Sequence, residues 1–246
     1  MLLNGKVAVI YGAGGAIGGA VAQAFESEGA RVFATGHDPA PVELDALDER
    51  AVEEHLQSVI DEAGRIDISF NAIGIPDTDI VGVPLVDLAA EQFSRPIATY
   101  ATSYFLTARL AARHMVPKRS GVIMRVTALL GRTGTPLVGG YGPAMAAMEA
   151  LTRGLSAELA PHGVRVAGLR PQAMPETDTI REAFEPRAEA TGLTWEQWQE
   201  LLASRNHARR LMTLEEMANV AVFMASDKAS GMTGTVVNMT MGSLDD

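Results

Sequence analysis

The sequence predicts an α/β protein: one doubly wound parallel sheet with helices on both faces. Three observations predict it. Residues 7–10, Val-Ala-Val-Ile, are a short unbroken apolar run, the pattern of a strand buried on both faces of a parallel sheet. A glycine-rich turn follows at once, and then Ala16, Ile17, Ala20, Val21, Ala24 and Phe25 recur at helical spacing. The same alternation of apolar strand-like runs and amphipathic helical stretches continues to the end of the chain. No internal repeat or low-complexity linker interrupts it, so residues 1–246 read as a single domain.

The first helix ends near Gly29, placed as its C-terminal cap, and residues 31–35 form the second strand. Only Asp38-Pro39-Ala40-Pro41 separates that strand from Val42-Glu43-Leu44. Two prolines in four residues rule out a helix there. A parallel crossover ordinarily needs about a dozen residues. The third strand must therefore be very short or reached by a tight extended link. Asp48 caps a helix over residues 49–63, and residues 66–70 are the fourth strand. Residues 75–86 read as a loop. A helix opens at residues 87–93 and continues as a long one over residues 95–115, with a break expected at Pro96.

Residues 121–127 are the fifth strand, 131–140 a Gly/Pro-rich loop, and 141–159 a long helix rich in Ala and Met. The sixth strand, residues 164–169, ends in Arg170-Pro171. Residues 172–210 form a helical excursion in which Thr194 and Gln197 read as a capping box. Trp195 and Trp198 on it suit packing, a lid or a subunit contact. Residues 214–226 are the last helix and 236–239 the last strand.

Composition bounds the function. Formal net charge is −10 and the apolar fraction 47%. An acidic surface argues against nonspecific binding to nucleic acid or an anionic membrane. There is no cysteine, so disulfides, thiol catalysis and Cys-based metal sites are excluded, and no metal is expected. The N-terminus enters its first strand directly, leaving no room for a signal peptide, and a cytoplasmic location is expected. The run from Val7 is too short and glycine-rich for a membrane span.

Strand, glycine-rich turn and helix open a dinucleotide-binding (Rossmann) unit. Glycines let the backbone approach a pyrophosphate, and the helix N-terminus offers free N–H groups and a positive dipole end. Taken alone, the turn also suits a plain strand-to-helix connection of a flavodoxin-like fold. Its wording resembles the Thr-Gly-x-x-x-Gly-x-Gly turn of the short-chain dehydrogenase/reductase family. Gly12 and Gly18 match the first and last glycines. Ala16 replaces the middle one and Tyr11 the Thr, while Gly14 and Gly15 leave room beside them.

Further along, Leu44-Asp45-Ala46-Leu47-Asp48 is similar to the family's Asp-Val-Thr/Ser-Asp segment, and Asn71-Ala72-Ile73-Gly74 to its Asn-Asn-Ala-Gly. Residues 153–166, 224–227 and 233–234 also match. The resemblance covers nearly the whole chain. It implies a cofactor site at Gly12, Gly14, Gly15, Ala16, Ile17, Gly18, His37, Asp45, Ala46, Asn71, Ala72, Gly74, Pro171 and Gln172. Asp45 would hold the adenine amino group. A carboxylate after the second strand would favour NAD; here Gly36 and His37 stand there, with Asp38 one step beyond. His37 occupies a position where NADP-dependent relatives often carry Arg. NADP is the expected cofactor, with NAD the alternative, and a turn residue is the plainer role for His37.

The family's chemistry uses a Tyr as proton donor, a Lys four residues later, a Ser and an Asn. Tyr141 matches the Tyr. The other three positions hold Met145, Ala128 and Tyr100. An ordinary tyrosine has a pKa of about 10, so about one in a thousand is ionised at pH 7. Bringing it to neutrality takes about 4 kcal/mol of differential stabilisation, part of which a lysine supplies. A lost Ser removes a donor to the developing alkoxide, worth about 3–4 kcal/mol. Thr127 should face away from the site, since side chains alternate along a strand. Arg125 is unusual, because a charge in a buried strand is costly unpaired. An ion pair or hydrogen bond at the sheet end is the expected explanation.

Three readings follow. One is an NAD(P)(H)-dependent carbonyl reductase or alcohol dehydrogenase of small molecules with an altered proton relay. The second is a non-redox dehydratase, isomerase or cyclase on the same scaffold with Tyr141 as acid. The third is an inactive cofactor-binding subunit. A homo-oligomer, tetramer or dimer, is expected from Leu106, Leu110, Met148 and Leu151, which spread over more than one helix face.

Overall fold

A computed structural model describes residues 1–37, 40–76 and 78–245. Strand β1 (Val7–Tyr11) lies inside the sheet, and every one of its side chains is buried. It pairs in parallel with β2 (Arg31–Gly36) on one side and β4 (Ile68–Asn71) on the other. Beyond β2 lies β3 (Val42–Glu43). Beyond β4 come β5 (Gly121–Val126), β6 (Val164–Pro171) and β7 (Thr235–Met239). The order β3-β2-β1-β4-β5-β6-β7 reverses between β1 and β4. That reversal opens a crevice at the carboxyl ends of the strands, where sheets of this kind bind ligands.

Alternation along the strands builds two cores. Ala8, Ile10, Phe70 and Met124 face α1 (Ala16–Ser27) and α7 (Leu214–Ala225). Val7, Val9, Tyr11 and Ile123 face α2 (Glu49–Ala63), α3 (Ala90–Met115) and α4 (Tyr141–Leu159). Asp48 caps α2 by accepting from the amides of Arg50 and Ala51, at 2.9 and 3.2 Å. Such a cap is worth about 1 kcal/mol. The excursion after β6 carries α5 (Asp178–Ala190) and α6 (Trp195–Ser204). The Thr194–Gln197 capping box opens α6, and Trp198 packs on Phe184 with centroids 6.2 Å apart.

The link after β2 is the tight one the prolines require. It reaches a β3 of two residues, both exposed, with Gly36 in register with Glu43. Asp38 lies outside the described residues.

Two expectations are corrected. Pro96 does not break the third helix: α3 runs unbroken for 26 residues and opens at Ala90, with the Ala89 amide held by Gln92. The proline costs about 3 kcal/mol. Buried Tyr100, Tyr104, Leu106 and Leu110 each return about 1.5–3 kcal/mol along the same helix. Leu106, Leu110 and Met148 are also not free apolar surface, since α3 and α4 pack on each other and on the sheet and bury all three. Leu151 is half-buried, and the apolar side chain that α3 does leave exposed is Phe105.

Candidate active site

Five strand ends, those of β1, β2, β4, β5 and β6, converge on the carboxyl edge. At β1, Gly12 takes φ +77°, and a Cβ there would sit 2.8 Å from the Ala72 carbonyl carbon and oxygen. A Cβ on Gly18 would overlap the Gly12 carbonyl oxygen. Only glycine fits either place, so the turn is drawn tight against both the β4 loop and its own helix. Gly15 caps α1 without any side-chain bond. The first-turn amides of α1 therefore face outward past exposed Gly15 and Ala16 and half-buried Gly14 and Ile17.

At the far end of the crevice, His37 is exposed just after β2. Asp45 is exposed too, with one carboxylate oxygen accepting from the Leu47 amide at 2.9 Å, and Ala46 is buried behind it.

At β4, the Asn71 side chain turns inward. Its Nδ2 donates to Thr107 at 3.0 Å, and its Oδ1 accepts from the Ile73 amide at 3.1 Å and from Arg125. What Asn71 offers a ligand is therefore the shape of the loop Ala72–Gly74, not its amide. Pro171 and Gln172 end β6 on the same edge. Gln172 is buried, and its Oε1 has no hydrogen-bond partner.

At β5, Arg125 is 2% exposed. Its Nη1 donates to the Asn71 carbonyl at 3.2 Å, its Nη2 to the Ile73 carbonyl at 2.9 Å, and its Nε points at the Met148 sulfur at 2.8 Å. Its Cζ lies 5.3 Å from the Tyr100 ring centroid. The hydrogen bonds expected at this arginine are present, yet no carboxylate pairs with it among the described residues. Burial holds its pKa below the usual range, at about 10, against the upward pull of Tyr100, Tyr141 and Tyr104. Two residues on, the Thr127 hydroxyl is taken up by Glu149 and the Leu169 carbonyl, each at 3.3 Å, so it does not serve the site.

Tyr141 is the first residue of α4 and stays half-buried at the edge. The Tyr100 ring meets it edge-on, with centroids 5.8 Å apart at 82°. The Tyr100 hydroxyl accepts from the Ile75 amide at 3.2 Å, locking the same loop that Arg125 holds. Met145, one turn along α4, is 1% exposed and packed in the core. Ala128 follows β5 in extended conformation and packs against that cluster. Tyr104 lies deeper; burial pushes its phenol up to about 12, with Thr152 and Arg125 pulling the other way. Tyr100 and Met145 thus belong to one apolar cluster, against which Tyr141 and Ala128 pack. The linkage of Arg125 to Tyr100 and Asn71 was not legible. Its one signal in the sequence is a charge inside the otherwise apolar strand Gly-Val-Ile-Met-Arg-Val.

A cavity of about 320 Å³ lies at the opposite, amino-terminal edge of the sheet. Of its charged lining, Lys6 pairs with Asp227 at 3.0 Å and Asp67 with Arg65, while Arg165 donates to the backbone carbonyls of Met224, Ser226 and Met232. Among the described residues no cluster of His, Asp or Glu could hold a metal, and no helix is long and apolar enough to cross a membrane.

Known proteins share this arrangement. A family model described as enoyl-(acyl carrier protein) reductase matches residues 12–243. The 3-oxoacyl-(acyl-carrier-protein) reductase FabG of Vibrio cholerae is 28% identical over 256 residues, covering 98% of each chain. The uncharacterized oxidoreductase YxbG of Bacillus subtilis is 30% identical over 252 residues, covering 94% of this chain and 88% of its own. The crystal structure of an NAD+-bound xylitol dehydrogenase superposes with a TM-score of 0.87 at 25% identity, over 99% of this chain and all of the other.

Proposed function

The chain belongs to the short-chain dehydrogenase/reductase family and is an NAD(P)(H)-dependent oxidoreductase, and from that premise we propose that it interconverts a small-molecule carbonyl and its alcohol through a proton relay altered at Tyr100, Ala128 and Met145. The observation that carries this reading is the packing of Tyr141 on Tyr100, whose hydroxyl holds the loop after β4 at Ile75, beside the switch point where the glycine turn also arrives.

The residues present fit a dinucleotide. A Cβ at Gly12 or Gly18 would strike the chain's own backbone, so these glycines draw the turn tight and set the α1 N-terminus where a pyrophosphate would lie. Gly14, Ala16 and Ile17 would present amides to the phosphates, while the Gly15 amide closes the turn by donating to the Gly12 carbonyl at 3.1 Å, and Asp45 with Ala46 would bound the adenine. Ala72 and Gly74 would line the ribose next to the nicotinamide. The unpartnered Oε1 of Gln172, beside Pro171, would accept from the carboxamide. When bound, the cofactor supplies the hydride.

The chain supplies the rest. Tyr141 holds a proton at its phenol oxygen and gives it to the substrate oxygen as charge develops there. Arg125 and Tyr100 fix the loop against which the substrate stands, through the Ile73 carbonyl and the Ile75 amide. No hydroxyl is offered from position 128. The carbonyl that reacts well here is therefore one already activated. The helices α5 and α6, which follow Gln172 in the chain, would serve as a lid excluding water from the crevice, within one domain spanning residues 1–246.

Within this reading the cofactor is NADP(H), supported by the lack of an acid at positions 36 and 37 and by exposed His37. One observation favours NAD(H): the register sets the carboxylate residue Glu43 beside Gly36. Calorimetric titration with both cofactors separates them. Tighter NADPH binding supports the proposal, tighter NADH binding reverses the preference, and binding of neither removes the site. Turnover on a panel of activated carbonyls then tests the reaction. The substrate is a small molecule handled by a homo-oligomer in the cytoplasm, with no nucleic-acid or membrane partner.

A further inference from the structure

We propose that Arg125 is a positioning residue for Tyr141: from the β5 side it keeps, behind the paired rings of Tyr100 and Tyr141, the positive charge that the family resemblance would place on α4 at position 145. This rests on the reading of Tyr141 as the proton donor.

Every partner of the Arg125 guanidinium is neutral: the carbonyls of Asn71 and Ile73, the Asn71 amide oxygen and the Met148 sulfur. Arg170, on the adjacent strand β6, shows the contrast. Its charge is cancelled by Glu149 at 2.6 and 2.9 Å. A buried cation with only neutral partners keeps its field, and inside the protein that field is screened less than in water.

The groups it reaches are phenols. Its Cζ lies 5.3 Å from the Tyr100 centroid, and Tyr100 packs edge-on against Tyr141 at 5.8 Å. The titratable groups facing it are Tyr100 and Tyr104 from α3 and Tyr141 from α4. The contacts from β4 and the loop after it are neutral, and Glu149 of α4 is occupied by Arg170. Nothing on this list competes with a phenolate for the charge. When Tyr141 passes its proton to the substrate oxygen, the O–H bond breaks and the electron pair stays on the phenol oxygen. The anion so formed is the species a nearby guanidinium favours. Met145 leaves the α4 side without a charge, so no second cation repels the first.

The test needs neither cofactor nor substrate. The chain has four tyrosines. Labelling them with ¹³C at Cζ and assigning each by its Phe variant lets NMR follow every phenol as pH rises. Tyr11 and Tyr104 serve as internal controls, because burial pushes both up. In the unaltered protein, Tyr141 is expected to ionise below the ordinary value of about 10. In Arg125→Met its titration should move up by at least one pH unit, a tenfold change in acidity. Adding Met145→Lys to that variant should bring it back. The proposal falls if Tyr141 titrates at or above the ordinary value in the unaltered protein, which decides the matter even if Arg125→Met does not fold. It falls equally if a folded Arg125→Met leaves the titration where it was. Failure of the oxidoreductase reading would show separately, as absent NADPH and NADH binding with the low Tyr141 titration intact.

Discussion

Arg170 of β6 and Glu149 of α4 form a bidentate ion pair, 2.6 and 2.9 Å long, with both side chains 3% exposed or less. Thr127 adds a third bond to the same carboxylate. The pair ties α4 to the sheet two turns below Tyr141. Removing either partner leaves one buried charge uncompensated. Glu149→Ala and Arg170→Ala are each expected to cost about 3–5 kcal/mol, seen as a large drop in the thermal midpoint. Replacing both with Met should recover most of the loss, because two apolar chains of similar volume need no pairing. A double variant no more stable than either single one would show that the pair is worth more than its removal penalty.

Gly12 and Gly18 fix the cofactor turn by contact. Gly12→Ala adds a methyl at φ +77° with carbonyl atoms at 2.8 Å. The strain is on the order of 1–3 kcal/mol, and most of it falls on a turn at the edge of the fold. NADPH affinity measured by calorimetry should fall by about ten-fold or more, while the thermal midpoint of the free protein moves far less. Equal affinity for variant and parent would remove the turn from the site.

Ala128→Ser restores a donor at the carboxyl end of β5. With NADPH and an activated carbonyl, turnover should rise by about ten- to a hundred-fold, and the gain should vanish when Tyr141→Phe is added. Met145→Lys in the same background should add little, since it buries a second cation near Arg125. The sequence alone suggests that both changes are needed, and the position of Arg125 alters that expectation. A large gain from Met145→Lys alone would count against a charge already in place.

Phe105 is 41% exposed on α3, with the Arg109 guanidinium 5.1 Å from its ring. An aromatic ring held by a cation on an outer helix face suits a contact between copies. Light scattering is expected to give a dimer or tetramer of the 26.0 kDa chain, and Phe105→Glu to shift it toward the monomer. A monomer at micromolar concentration in the parent protein would refute this.

What could be read from the sequence was local chemistry. The bounds of α2 and α4, the Asp48 cap and the Thr194 box follow from residues within one or two helical turns. The two-residue β3 follows from two prolines. The course of α3 through Pro96 did not follow, because its compensation comes from core burial along the next five turns. The role of Arg125 was hidden for a related reason. Its partners Asn71 and Met148 lie 54 and 23 residues away, and only the sheet register and the seating of α4 bring them together. The site residues Tyr141, Ala128 and Met145 were placed by motif spacing; their electrostatic setting was not.

The brevity of β3 also bears on solubility. A parallel sheet ends at its flanks in unpaired amides and carbonyls, and a long flank invites a strand from another molecule to dock. Here that flank is two residues long, and Glu43, one of the two, is charged. A foreign strand would gain too few bonds to offset its ordering, and acidic copies would repel one another as they approached it. Losing a helix at this edge thus costs little in aggregation risk, because the strand that helix would have led into shrank with it.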